Sequence, residues 1–268
     1  MSNLLTYKSF TPRQLPGVWG WWDGSDPLGN GSKPTGAQAT WVDKSAYKNN
    51  FTQATGANQP TVLTNAKNGR NGLLFSTTKT MLTANPPLGA TFTTNPRSLI
   101  LVFSITTTIA GANHVIWNQG NGGNGTNTTF GHFNAGGATL GIDSGGSGQY
   151  ITYNTTTLVQ NTFYIWEYYS PSGTLTASNA IINDIANSVT SHAYTGGVVA
   201  SSAMTIGGSG GVTMLEIIAS SSQLSTVQAS MLRTYLKIKW GIGANTFGLV
   251  NGNTFGLING NTLGLVYF

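Results

Sequence analysis

Residues Val18 to Pro27 read VWGWWDGSDP, three tryptophans in four positions with two aspartates close behind. Indole rings stack on sugar faces, and paired carboxylates flanking a glycosidic bond can cleave it. The same composition also describes the edge of a β-sandwich core where a strand runs into a turn. A second aromatic run, FYIWEYY at 163–169, carries Glu167. Alternation along a strand puts Phe163, Ile165, Glu167 and Tyr169 on one face and Tyr164, Trp166 and Tyr168 on the other. Three aromatics on one face make either a core or a platform for a sugar. The glycan-contact candidates are therefore Trp22, Trp166, Tyr164 and Tyr168.

Hydrolysis asks for more than aromatics. A glycosidase needs two carboxylates roughly 5 to 10 Å apart across the scissile bond. The chain has seven acidic residues, and outside the N-terminal turns they are singletons: Asp143, Glu167, Asp184 and Glu216. No catalytic residue is expected, and the protein reads as a non-enzyme. His114, His132 and His192 are isolated, and there is no cysteine, so neither a metal site nor a thiol nucleophile is expected. GGNGTN and SGGSGQ read as loops rather than phosphate cradles, because no helix follows them.

Only 7% of the 268 residues are charged, and polarity comes from Gly, Ser, Thr and Asn instead. With 39% hydrophobic and 10% aromatic residues the chain can fill a core. The net charge of +5 reflects scarce carboxylates rather than a basic stripe, so nucleic acid is not an expected partner. No apolar run approaches the roughly 18 residues that span a bilayer, and no signal peptide is visible, so neither membrane insertion nor export is expected.

Short β-branched and aromatic runs separated by Gly, Asn, Ser and Pro recur along the chain: Leu73 to Phe75, Ser98 to Ile105, His114 to Trp117, Thr162 to Tyr169, Ala180 to Ile182 and Met214 to Ile218. They predict an all-β antiparallel sandwich or barrel. From Gly120 to Gly148 the composition predicts long loops around one short strand near Phe130 to Phe133. One helix is predicted over Ser225 to Trp240, opened by an S-x-x-Q capping box and stopped at Gly241. Val227, Met231, Tyr235 and Ile238 form the stripe expected to face the sheet.

The tail reads NTFGLV-NG-NTFGLI-NG-NTLGLVYF, a period of eight with Asn-Gly at each joint. It predicts a three-stranded meander with two-residue turns, Phe247 opposite Gly256 and Gly248 opposite Phe255. Such a meander is marginal alone. Its apolar residues Phe247, Leu249, Phe255, Leu257, Leu263 and Leu265 are expected to serve assembly.

Three segments together resemble the concanavalin A-like, laminin-G-type jelly-roll domains of phage and bacterial surface proteins. They are LPGVWGWWDGSD at 15–26, WVDKSAYKNNFTQATGANQPTVLTNAKNGRNGLLFS at 41–76 and MLEIIASSSQLSTVQASMLRTYLKIKWGI at 214–242. The resemblance covers about Arg13 to Gly243 and implies a sandwich at 13–243, with an N-terminal arm at 1–12 and the repeat tail at 244–268. It implies that Trp21 and Trp41 are core residues and that Glu216 is a structural acid of the closing strand. Trp19 and Trp22 replace aliphatic positions of the family and fall on opposite faces of a regular strand, so one of them is expected at the surface. Domains of this kind can bind calcium, and Asp23, Asp26 and Asp43 could supply oxygens; hydrogen-bonded turns explain these aspartates equally well, and no cofactor is expected. The hydrolases of this fold carry their acids together on one strand, a pattern missing here.

The expected function is a non-enzymatic virion structural protein, a capsid decoration or fibre-associated component on the virion surface, adhesive to glycans. Its expected partners are further copies of itself, a homotrimer above all, and a capsid or fibre protein. The alternative is a carbohydrate-binding lectin module of a cell-surface or secreted assembly.

Overall fold

The computed structural model describes residues 10–83, 97–107, 114–120, 127–133, 139–143, 150–153, 156–170, 179–187, 189–192, 204–243, 249–250, 254–259 and 262–265. In chain order the strands are β1 (Val18–Asp23), β2 (Thr40–Trp41), β3 (Phe51–Thr52), β4 (Thr61–Lys67), β5 (Arg70–Phe75), β6 (Thr80–Thr83), β7 (Arg97–Ile105), β8 (His114–Gly120), β9 (Asn127–Phe133) and β10 (Thr139–Asp143). There follow β11 (Tyr150–Tyr153), β12 (Phe163–Ser170), β13 (Asn179–Ile182), β14 (Ile185–Ala186), β15 (Val189–His192), β16 (Met204–Gly207) and β17 (Val212–Ser220). The helix α1 (Thr226–Trp240) comes next, then β18 (Leu249–Val250), β19 (Thr254–Asn259) and β20 (Thr262–Leu265).

The strands form an antiparallel β-sandwich. One sheet has the order β14-β13-β12-β7-β17-β5-β4, with β1 also paired to β17; the other runs β15-β11-β10-β9-β8-β16-β6-β3-β2. Each β-rich run found in the sequence is a strand. The glycine- and asparagine-rich stretch holds more order than expected, because it contributes β10 as well as β9, paired from Thr139↔Phe133 to Asp143↔Thr129. On its other side β9 lies close against β8 at Gly131, where a Cβ would collide with the carbonyl of His114.

Two apolar layers flank the first sheet. Between the sheets lie Trp19, Trp22, Trp41, Phe51, Phe75, Phe103, Trp117 and Trp166. On its outer face, Val18, Trp21, Ile100, Val102, Ile165 and Ile218 meet Ala229, Leu232, Leu236 and Trp240 of α1. Burial on both faces explains why every residue of β7 and β17 is buried.

The tryptophan-rich strand departs from regular alternation. A bulge between Val18 and Gly20 shifts the register against β17, so Trp19 and Trp22 both enter the inter-sheet core, at 2% and 0% exposure. The expectation that one of them lies at the surface is therefore corrected: the extra residue of the bulge puts both on one face. Trp21 lies under α1 and Trp41 in the inter-sheet core, both buried.

Helix α1 has the expected ends. The Ser225 hydroxyl accepts from the Gln228 amide, and the Ser225 amide donates to Gln228 Oε1 at 2.8 Å. Gly241 closes the helix in the left-handed region at φ 61°, and its amide donates to the Lys237 carbonyl. Ser225→Ala should cost about 1 kcal/mol in a urea titration. The helix face is not the expected one. Val227, Met231 and Ile238 are 68%, 47% and 49% exposed, while Ala229, Leu232, Leu236 and Trp240 are buried. Of the expected stripe only Tyr235 packs, partly buried, against the layer under α1.

In the tail a three-stranded antiparallel meander forms, hydrogen-bonded to neither large sheet among the described residues. Its register differs from expectation. Leu249 faces Phe255 and Val250 faces Thr254, so three residues rather than two separate the first pair of strands. Phe255 is thus paired with Leu249 rather than with the expected Gly248; Gly248 and Phe247, the expected partner of Gly256, lie outside the described residues. In the second hairpin Leu257 faces Gly264, Gly256 faces Leu265 and Asn259 pairs with Thr262, which moves the joint to residues 260–261. The glycines of β19 and β20 face leucines instead of phenylalanines.

Candidate functional site

β1 and β17 run side by side and bring Asp23 directly opposite Glu216. These acids come from opposite ends of the chain, so sequence proximity gave no sign of the pair. Lys239, in the last turn of α1, reaches between them, with Nζ 2.8 Å from Asp23 Oδ1 and 2.8 Å from Glu216 Oε2. Three more donors converge on Glu216. Trp21 Nε1 donates to Oε1 at 2.7 Å, Tyr235 OH to Oε1 at 3.0 Å and Trp240 Nε1 to Oε2 at 2.7 Å. Glu216 is fully buried, and burial pushes its carboxyl up from the usual range against the pull of Lys239.

Asp23 is shifted the opposite way. Burial alone would raise its pKa, but Lys239 and Lys44 outweigh that effect and hold the carboxyl at about 2. Lys44 Nζ lies 3.0 Å from both Asp23 Oδ2 and Asp26 Oδ2 and covers the Trp21 ring, 5.1 Å from its centroid. Burial would lower the Lys44 ammonium, but Asp23 carries its pKa above the ordinary value.

The aspartates beside turns accept backbone amides. Asp23 Oδ1 accepts from the Ser25 amide, and Asp26 Oδ1 accepts from those of Asn30 and Gly31. Asp43, fully buried, accepts from the amides of Trp21, Ser45 and Asn49 and from the Ser45 hydroxyl. Glu167 lies under α1 in a bidentate pair with Arg233, whose Nη2 is 2.8 Å from Oε2. It also accepts from Tyr169 OH at 2.6 Å; burial, with Glu167 beside it, pushes the Tyr169 hydroxyl well above its usual range. Lys237 pairs with Asp184. Every acid whose side chain is described is thus held by a turn, a lysine or an arginine, and those under α1 fasten the helix to the sheet. No group of three potential metal-binding side chains occurs among the described residues. His114 is buried, its Nε2 2.8 Å from Thr107 Oγ1.

Above the Asp23–Lys239–Glu216 cluster lies a groove of about 1000 Å³, at the upper end of small-ligand sites. Trp21, Asp23 and Lys239 form part of its lining, together with Phe10, which packs edge-on to Tyr235 at 5.9 Å between centroids. One wall comes from α1 through Ser230, Met231, Thr234 and Ile238; the other carries Lys33, Arg70 and Asn71. The wall is apolar with a few hydroxyl, amide and cationic groups around it, the composition of a site for a polar organic molecule.

None of the residues singled out for glycan contact reaches this groove. Trp22, Trp166, Tyr164 and Tyr168 are buried in the inter-sheet core. The face of FYIWEYY that could have been a platform is core, because the second sheet covers it. Alternation identified the right set of side chains but carries no information on which face meets solvent. Of the tail residues named for assembly, Leu249, Phe255, Leu257, Leu263 and Leu265 lie in the meander strands.

No family model and no curated protein matches the chain. Solved structures do. The botulinum neurotoxin serotype D binding domain aligns with a TM-score of 0.57 at 12% identity, over 94% of this chain and 62% of that one. The serotype D ligand binding domain in complex with N-acetylneuraminic acid aligns at 0.55 and 13% identity, over 87% and 60%. The binding domain of Paraclostridial Mosquitocidal Protein 1 aligns at 0.56 and 11% identity, over 82% and 52%. The chain therefore spans about three fifths or less of these domains, and at such identities the likeness is one of fold. That fold is an antiparallel β-sandwich.

Proposed function

We propose that the protein is a non-catalytic, glycan-binding β-sandwich of the concanavalin A-like type, carried on a virion surface as a capsid decoration or fibre-associated component. The observation that carries the binding reading is the groove beside α1. It is wide enough for a sugar and edged by hydroxyls, an amide and cations, while the acids around it are consumed by ion pairs. Glu216 has no path to a glycosidic bond, and Asp23 is held as a carboxylate between two lysines. The fold likeness to a domain crystallised with N-acetylneuraminic acid points the same way. Surface plasmon resonance on immobilised glycans tests it. Ser230→Trp, at an exposed position of the helix wall, should weaken binding at least about tenfold without changing stability. Unaltered binding would mean that the groove is not the glycan site.

Attachment to a larger assembly is favoured by a separate observation: among the described residues the C-terminal strands form their own sheet, with no ladder to the sandwich. A three-stranded meander gains stability by packing on a partner. The expected partners are other copies of the chain, a trimer first, and a capsid or fibre protein. Light scattering of the full chain beside a truncation ending at Gly243 should show a defined oligomer and a folded monomer, respectively. Two monomers would leave the sandwich as a free-standing lectin module.

A further inference from the structure

The Asp23–Lys239–Glu216 cluster brings together an amine, two carboxyls and three neutral hydrogen-bond donors in a nearly closed setting. Lys239 is 9% exposed, Asp23 4% and Glu216 0%, with Trp21, Tyr235 and Trp240 around them. The lysine stem is further boxed in by the rings of Tyr235 and Trp240, with Nζ 5.5 and 4.9 Å from their centroids. A buried ion pair of this kind contributes little to stability by itself, since desolvation offsets its attraction. It does, however, hold the Lys239 nitrogen 2.8 Å from Glu216 Oε2, beside the carboxyl carbon, with Asp23 Oδ1 on the same nitrogen at 2.8 Å.

We propose that Lys239 Nζ and the Glu216 side chain condense to an intramolecular isopeptide bond, with Asp23 moving the proton, so that α1 becomes covalently joined to β17. Burial favours the neutral acid at Glu216, and a proton passes from Nζ to Oε2. The amine then attacks Cδ, and the N–Cδ bond forms. Trp21 Nε1 and the Tyr235 hydroxyl already donate to Oε1, where the negative charge collects. Asp23, kept ionised by Lys44 as well as by Lys239, takes one proton from the nitrogen and returns it to Oε2. The Cδ–Oε2 bond breaks, one water leaves towards the adjoining groove, and the nitrogen keeps the single hydrogen of an amide. Ammonium and carboxylate become amide and water with no external reagent. Asp23 is ionised and touches the same nitrogen at 2.8 Å, which places it to relay the proton between the nitrogen and the departing oxygen.

The intact mass of the purified full chain, measured under denaturing conditions, decides the matter. The expected value is about 18 Da below that of the sequence, with a cross-linked peptide pair containing Glu216 and Lys239 after proteolysis. Lys239→Arg should restore the full mass, and Asp23→Ala should leave most of the chain unlinked. The full mass in a folded wild-type protein overturns the proposal. So does a water loss that maps to the Asp23–Gly24 peptide, which is backbone cyclisation, or to a bond between Lys239 and Asp23. Should either variant fail to fold, the wild-type mass and peptide map still give the answer.

Discussion

Trp22→Ala is expected to lower the unfolding free energy by about 4 kcal/mol, the scale of an aromatic truncated at a fully packed site. Trp22 stands where the inter-sheet rings converge. It lies 5.9 Å from Trp19, 4.7 Å from Phe51 and 6.4 Å from Trp117 by ring centroids, and its Nε1 donates to the Asn49 carbonyl at 3.0 Å. Alanine would open a cavity among rigid rings that cannot collapse into it and would orphan the Asn49 carbonyl. Chemical denaturation followed by tryptophan fluorescence measures the loss. A variant that kept wild-type stability but lost glycan binding would return Trp22 to the surface role its sequence setting suggested.

Removing the Glu167 side chain is the second large effect. Arg233 would keep only Asp184, at 3.6 Å, and Tyr169 would lose its acceptor in a buried layer. Breaking a buried pair by deleting one partner leaves the other charge uncompensated. Arg233 keeps about a fifth of its side chain in solvent, so Glu167→Ala should cost about 3 kcal/mol rather than more. Arg233→Ala should cost a similar amount, and the double variant little beyond either single one, because both act on one contact. Thermal unfolding of the four proteins gives the cycle. Additive losses would show that the pair does not fasten α1, and a stable Glu167→Ala protein would free Glu167 for another role.

How much of this was visible in the sequence varies with the kind of information needed. Local chemistry was legible. The capping box of Ser225 and Gln228, the stop at Gly241 and the strand runs at Ser98 to Ile105 and Met214 to Ile218 depend on neighbours in sequence, and they form as read. The turn role of Asp43 was legible for the same reason. Facing was not. The helix row Val227, Met231 and Ile238 is the more apolar to the eye, yet α1 turns Ala229, Leu232, Leu236 and Trp240 inward. That choice goes with Arg233 and Lys239, whose charges must reach Glu167, Glu216 and Asp23 on the sheet. The bulge that puts Trp19 and Trp22 on one face depends on register against β17, which strand alternation alone does not carry. The opposition of Asp23 and Glu216 likewise exists only once the first strand has paired with the last strand of the sandwich. The groove arises from the same long-range pairing, together with the seating of α1.

Binding without turnover is the central expectation for this protein. Its most direct test is to incubate the full-length protein with the glycans it retains on an array and then weigh the sugar recovered. Retention with every glycan returned at its original mass is the predicted result. Glycan fragments in the recovered material, or no retention of any glycan by the wild-type chain, would contradict it.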